Sequence, residues 1–226
     1  VLSRSDDKSN FSEYGLQGMT RERFLNEMQD GFEATVESIQ TYGGFWIGRY
    51  ETGNLKADEP VVQRMNTSIN NQNWYTVYTR IKRMSANENV KTSIILGCLW
   101  DETLQWFVDS GNKTYAEMKD SKSWGNYYNC TFEYKTNTSG NTSTKSANKS
   151  TRIPSGSTEY SKANNIYDMA GNVQDLTLEG NISSFRSCRG GGYNVYGSSE
   201  PASYRNINNP STSYVDAGFR AYLYIK

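Results

Sequence analysis

The stretch CRGGGYNVYGSSE, residues 188–200, places a thiol and a guanidinium beside three consecutive glycines. Those groups could serve redox chemistry, cradle a phosphate, or support a contact surface. Redox or zinc chemistry at a cysteine needs a partner at short spacing, and the three cysteines, Cys98, Cys130 and Cys188, form no C-x-x-C pair. One disulfide with a free thiol and three buried thiols are both compatible with this count. A dinucleotide fingerprint needs a strand before the glycines and a helix after them, whereas Gly190-Gly191-Gly192 runs into YNVYGSSEP, which has no helical period. The glycines read as positions of close backbone approach, and Cys188 as a small buried hydrophobe.

A second constellation lies at residues 164–177, NNIYDMAGNVQDLT, where Asp168, Asn172 and Asp175 surround Gly171. Oxygen donors on a tight glycine turn suit a hard cation such as Ca²⁺, with backbone carbonyls completing the shell. The same residue types are also ordinary turn formers. The chain contains no histidine, which excludes His-based triads and His-ligated iron, copper or zinc centres. Lys and Arg equal Asp and Glu at 24 each, so there is no basic footprint for nucleic acid.

The elements that must position these groups follow from periodicity. The opening VLSRSDDKSNFSEYGLQG reads as a tether, and Thr20 as an N-cap for a helix carrying Phe24, Met28, Phe32 and Val36 up to the Gly43-Gly44 break. A strand over 45–50 follows, with Phe45, Ile47 and Arg49 on one face. Trp74, Val77, Tyr78, Ile81 and Met84 mark a second helix. Leu104, Phe107 and Val108 mark a third, opened by Asp101-Glu102 and closed at Ser110-Gly111, and residues 93–99 form a strand or the approach to it. Residues 136–158 are Ser, Thr, Asn and Lys with almost nothing apolar, which predicts a long exposed loop whose N-x-S/T sequons are chance products of composition. FRSCR, ASYR and FRAYLYI alternate at period two, and in the last Phe219, Ala221, Leu223 and Ile225 face opposite to Arg220, Tyr222 and Tyr224. Helices first and strands afterwards define an α+β class. The 17 Tyr, 8 Phe and 5 Trp exceed what a disordered chain carries, and no apolar run reaches membrane-spanning length.

Three motifs in order, N-x-Y-D-M-x-G-N-V-x-D at 165–175, R-G-G-G-Y at 189–193 and G-F-R at 218–220, resemble the formylglycine-generating-enzyme (sulfatase-modifying factor) family, a variant of the C-type lectin fold. GGFWIGRYETG at 43–53 is similar to that family's early strand, and LWDETLQWF at 99–107 to its acidic, Trp-containing helix. The resemblance runs from residue 43 to the end. It implies two domain regions: 1–42, a tether and helix continuing from a longer chain, and 43–226, a lectin-type domain with the exposed loop 136–158. The catalytic members pair two thiols to activate oxygen with copper, and the matching positions here are Val195 and Glu200. The iron-dependent sulfoxide synthases of the family need histidine ligands, which this chain lacks. The resemblance therefore implies a non-catalytic member. It also implies a structural Ca²⁺ on Asp168 and Asp175 with the carbonyls of Gly171 and Val173, although Asp175 and Leu176 stand where the family has Glu and Trp.

The layout is also similar to the variable proteins of diversity-generating retroelements and to cysteine-lacking domains of phage tail and bacterial surface proteins. In the former, residues between R-G-G and G-F-R vary. Here that region is rich in Tyr, Asn and Ser, a paratope-like composition. The expected contact residues are Tyr193, Asn194, Val195, Tyr196, Ser199, Glu200, Tyr204, Asn206, Asn208 and Tyr214. The expected function is recognition of a host-cell surface receptor, protein or glycan, by a domain on a virion or bacterial surface, as part of a longer protein and with homo-oligomers possible. The alternatives are a structural virion decoration or oligomerisation module, and an oxidase of the formylglycine-generating type.

Overall fold

A computed structural model describes residues 19–56, 59–84, 87–180 and 185–226. The expected tether lies outside them. Helix α1, Arg21–Tyr42, opens on Thr20, whose side chain accepts the Arg23 N–H at 3.2 Å, and closes on left-handed Gly43, whose N–H reaches the Ile39 carbonyl. Its buried face is not the row expected. Phe24 and Met28 are buried, but Phe32 and Val36 are exposed, and Thr35 and Ser38 are buried instead. A spacing of four advances about 400° around the helix, so such a row drifts by about 40° at each step away from a fixed neighbour. The neighbour is the last strand: Thr35 Oγ1 lies 2.9 Å from the Tyr222 hydroxyl, and the Ile225 N–H donates to Ser38 Oγ.

Short strands β1 (Trp46–Ile47), β2 (Gly53–Lys56), β3 (Glu59–Val61) and β4 (Val90–Ile94) frame α2, Trp74–Ile81. Only two residues of the strand expected over 45–50 are extended in a sheet. Helix α3, Gly97–Asp109, starts a turn before Asp101 because Leu99 and Trp100 are already committed to the core. Helix α4, Tyr115–Lys119, opens on a reciprocal Thr114–Glu117 capping box. Then follow β5 (Phe132–Lys135), β6 (Thr142–Lys145), β7 (Lys162–Ala163), β8 (Ile166–Tyr167), β9 (Gln174–Gly180), β10 (Arg186–Arg189), β11 (Arg205–Asn208), β12 (Ala217–Phe219) and β13 (Ala221–Ile225).

The mixture of few helices with many short strands is α+β. One sheet has the order β11-β10-β9-β12, antiparallel except where β12 runs parallel to β9, and another has the order β1-β13-β4. The expected single strand FRAYLYI is therefore divided. It crosses from one sheet to the other at Arg220, and its two sides bury different clusters. Phe219 and Ala221 join Phe24, Trp74 and Ile81, while Tyr222 joins Trp100, Phe107 and Trp124. Segment ASYR is not a strand, and pairing begins at Arg205.

Residues 136–158 are also not one exposed loop. The hairpin tip is exposed, but Lys145, Ile153, Ser155, Ser157 and Thr158 are buried. Polar residues tolerate burial when each finds a partner, and the composition does not reveal the partners. Among the described residues no helix is long and apolar enough to cross a membrane.

Candidate functional site

The segments 43–53, 165–175 and 218–220 converge on one buried centre. Arg220 of the G-F-R motif is fully buried and donates from Nε to Asp175 Oδ2 at 3.1 Å. It also donates from Nη1 to the Gly48 carbonyl and from Nη2 to those of Tyr167 and Asp168. Beside it, Glu51 accepts the Val173 N–H at 3.1 Å on Oε1, and the Asn172 amide at 2.6 Å and the Ser68 hydroxyl on Oε2. Burial pushes the Glu51 carboxyl well above the usual range, and the nearby Asp168 and Asp175 push it further while Arg220 opposes them. Burial likewise raises Asp175 to about 6 against the pull of Arg220. Glu51, Arg220, Ser155 and Ser161 were not singled out from the sequence as site residues. Glu51 and Arg220 sit inside the G-x-Y-E and G-F-R motifs, which was the available signal; Ser155 and Ser161 carried none.

Asp168, Gly171 and Asn172 all take left-handed backbone angles, so the 168–172 segment coils tightly around the centre. Asp168 accepts Ser161 Oγ on Oδ1 and both Ser155 Oγ and the Gly156 N–H on Oδ2. Both of its oxygens are thus engaged by the chain, and Asp175 faces Arg220. Of the carboxylate oxygens of Glu51, Asp168 and Asp175, Asp175 Oδ1 is the one buried without a hydrogen bond. A Ca²⁺ ion collects about six to eight oxygens. Among the described residues no group of three or more His, Cys, Asp or Glu side chains is placed to share an ion. In the set Asp168, Gly171, Val173 and Asp175 the carboxylates are turned to hydroxyls, a backbone N–H and a guanidinium, an arrangement that does not fit a Ca²⁺ shell.

From this centre the chain passes through the glycines to the exposed side. Gly190 and Gly191 have φ of +89° and +67°, and the Gly190 carbonyl accepts both the Gly171 N–H and the Tyr127 hydroxyl. Cys188 is buried, with its thiol pushed up by burial and contacted by the Asn208 amide. All three cysteines are free thiols.

The expected contact residues divide. Asn194, Tyr196, Ser199 and Tyr204 are exposed, while Tyr193, Glu200, Asn206 and Tyr214 are half-buried. Asn208 is buried against Cys188 and does not belong to the face, because it lies on the inward side of β11. Val195 leans partly into the core beside Trp124 and Tyr127, and Tyr214 packs partly against the other cluster. A polar chain ties the face together: Asn194 Nδ2 donates to Asp216, Gln174 reaches the same carboxylate, and Asn206 donates to Gln174 Oε1. Tyr196 meets Tyr128 edge to face at 5.7 Å.

Glu200 has a buried oxygen with no hydrogen-bond partner. Burial raises its carboxyl, and the charge of Asp216 raises it further. A raised folded value means that stability falls as pH climbs from the ordinary glutamate range through that value. Glu200→Gln is expected to melt higher than wild type at pH 7, by at most about 1 kcal/mol of stability, with the difference vanishing near pH 4. Thermal melts of both proteins at the two pH values check this.

The molecule is thus an α+β fold whose C-terminal loops connect strands of a four-stranded sheet. No family model matches the chain, and no curated protein matches it. Among solved structures, it is similar to variable protein 1 of Treponema denticola, at 16% identity and a TM-score of 0.42 over 76% of this chain and 77% of that one. It is also similar to CarF, at 14% identity and 0.49 over 80% and 86%, and to PvdO of Pseudomonas aeruginosa, at 12% and 0.46 over 80% of each chain.

Proposed function

We propose that this chain is a non-catalytic recognition domain of the C-type lectin type, formylglycine-generating-enzyme subtype, which binds a partner through the loops of residues 193–216. The observation that carries the reading is the exposure of Tyr196 and Tyr204 beside Asn194 and Ser199 on loops that rest on a rigid sheet. Tyrosine supplies large contact area with few rotors and a hydroxyl, and a folded domain gains nothing by leaving several on one irregular surface unless they meet a partner. The partner class is a receptor, protein or glycan, on a bacterial cell, and the domain 43–226 sits on a phage tail or a bacterial surface as part of a longer protein.

An oxidase reading has less support. Val195 and Glu200 occupy the places of the paired thiols, and Cys188 is sealed in the core with its thiol held protonated by burial. Failure to convert a Cys-containing sulfatase peptide in the presence of copper is the expected result.

The deciding experiment replaces Tyr193, Tyr196 and Tyr204 together by serine and measures adsorption of the labelled protein to panels of bacterial cells. Adsorption is expected to fall by about 100-fold or more, since a few aromatic anchors dominate such contacts, with a melting temperature close to wild type. Unchanged adsorption of a folded variant would favour a structural or oligomerisation module instead.

A further inference from the structure

Two basic side chains lie inside this molecule where oxygens converge. Arg220 gathers one carboxylate oxygen and three backbone carbonyls, those of Gly48, Tyr167 and Asp168. Lys145, also buried, donates from Nζ to the carbonyls of Tyr127, Tyr128 and Cys130, the latter two at 3.0 Å. Most of these oxygens come from irregular backbone, at Gly48, at Asp168 and in the 127–130 turn that precedes β5, and Tyr167 is the last residue of β8. Irregular backbone leaves carbonyls that no helix or sheet satisfies, and a buried one must find a donor or a cation.

We propose that Arg220 and Lys145 are internal cations that complete these two oxygen clusters, so that the fold closes without a divalent metal. The carboxylates agree with this. Asp168 turns to two serine hydroxyls and a backbone N–H, and Asp175 turns to Arg220. An ammonium or guanidinium tethered to the chain also removes the dependence on ion concentration that a bound metal imposes. The inference is independent of what the 193–216 loops bind.

The test uses the wild-type chain dialysed against EDTA, then melted with and without 5 mM Ca²⁺, a concentration about 50-fold above the dissociation constant at the tighter end of the weak extracellular range. The expected result is the same melting temperature in both buffers and no bound Ca²⁺ by elemental analysis. A saturated site would raise the melting temperature by roughly 5–10 °C, and that rise, or Ca²⁺ retained one per chain, would overturn the proposal. Lys145→Met tests the second cluster. It is expected to melt lower by roughly 5 °C or more, because the Cys130 carbonyl loses its donor and those of Tyr127 and Tyr128 keep only the N–H groups of Cys130 and Asn148. A melting temperature equal to wild type would remove Lys145 from the scheme.

Discussion

Replacing Arg220 by methionine is expected to cost about 4 kcal/mol or more of folding stability. Methionine fills much of the same volume, so the loss isolates the guanidinium. Asp175 would keep its buried position without its partner, and the carbonyls of Gly48, Tyr167 and Asp168 would lose three donors at once. Removing one member of a buried pair leaves an uncompensated charge, which is far more damaging than never having had the pair. A domain of this kind holds about 5–15 kcal/mol in all, so the variant should sit close to its unfolding threshold. Urea unfolding of wild type and variant measures the difference. A loss below about 1 kcal/mol would mean that the centre does not depend on this residue.

Gly191→Ala is expected to cost about 2–4 kcal/mol and to abolish cell adsorption with it. The backbone at 191 has φ +67°, where an L side chain is strained, and a Cβ there would sit on the Glu200 carbonyl oxygen and 3.0 Å from the Tyr127 ring. A carbonyl of the backbone cannot swing aside as a side chain can, so the 192–200 loop would have to move as a body. Gly192→Ala is the control. Its Cβ would crowd the Asn194 side chain at 2.9 Å, which can rotate away, and touch Asp216 at an ordinary 3.8 Å, and its backbone lies outside the left-handed region. Equal losses in the two variants would show that backbone approach at Gly191 is not what fixes the loop.

Much of the scaffold was legible because it rests on local rules. Thr20 and Gly43 cap α1 as their residue types require, and the α2 stripe through Trp74, Tyr78 and Ile81 is buried as its period predicts. The errors arose where tertiary partners decide. Thr35 and Ser38 are buried because their hydroxyls meet Tyr222 and Ile225, a pairing across 187 positions of sequence that no local pattern encodes. The polar tract at 151–158 looked solvated, yet Ser155 is interior because its hydroxyl serves Asp168 and the Glu51 N–H. The site was legible in part: the motifs marked Asp168, Asn172 and Asp175, but composition could not reveal that Arg220 reaches them from the far end of the chain. Asn208 looked like a contact residue by type, and strand alternation turned it inward to Cys188.

The loop of residues 192–202 is attached to its neighbours chiefly through main-chain atoms. The Tyr193 N–H reaches the Asn172 carbonyl, the Val195 and Gly197 carbonyls accept from Tyr128 and Ser121, and the Ala202 N–H donates to Ser121 Oγ. None of these bonds involves the side chain of Asn194, Tyr196 or Ser199. The backbone path of the loop is therefore set mainly by main-chain bonds, to which the Asn194 side chain adds one tie to Asp216 and Tyr196 one ring contact with Tyr128, while Ser199 is free to exchange without rebuilding the loop.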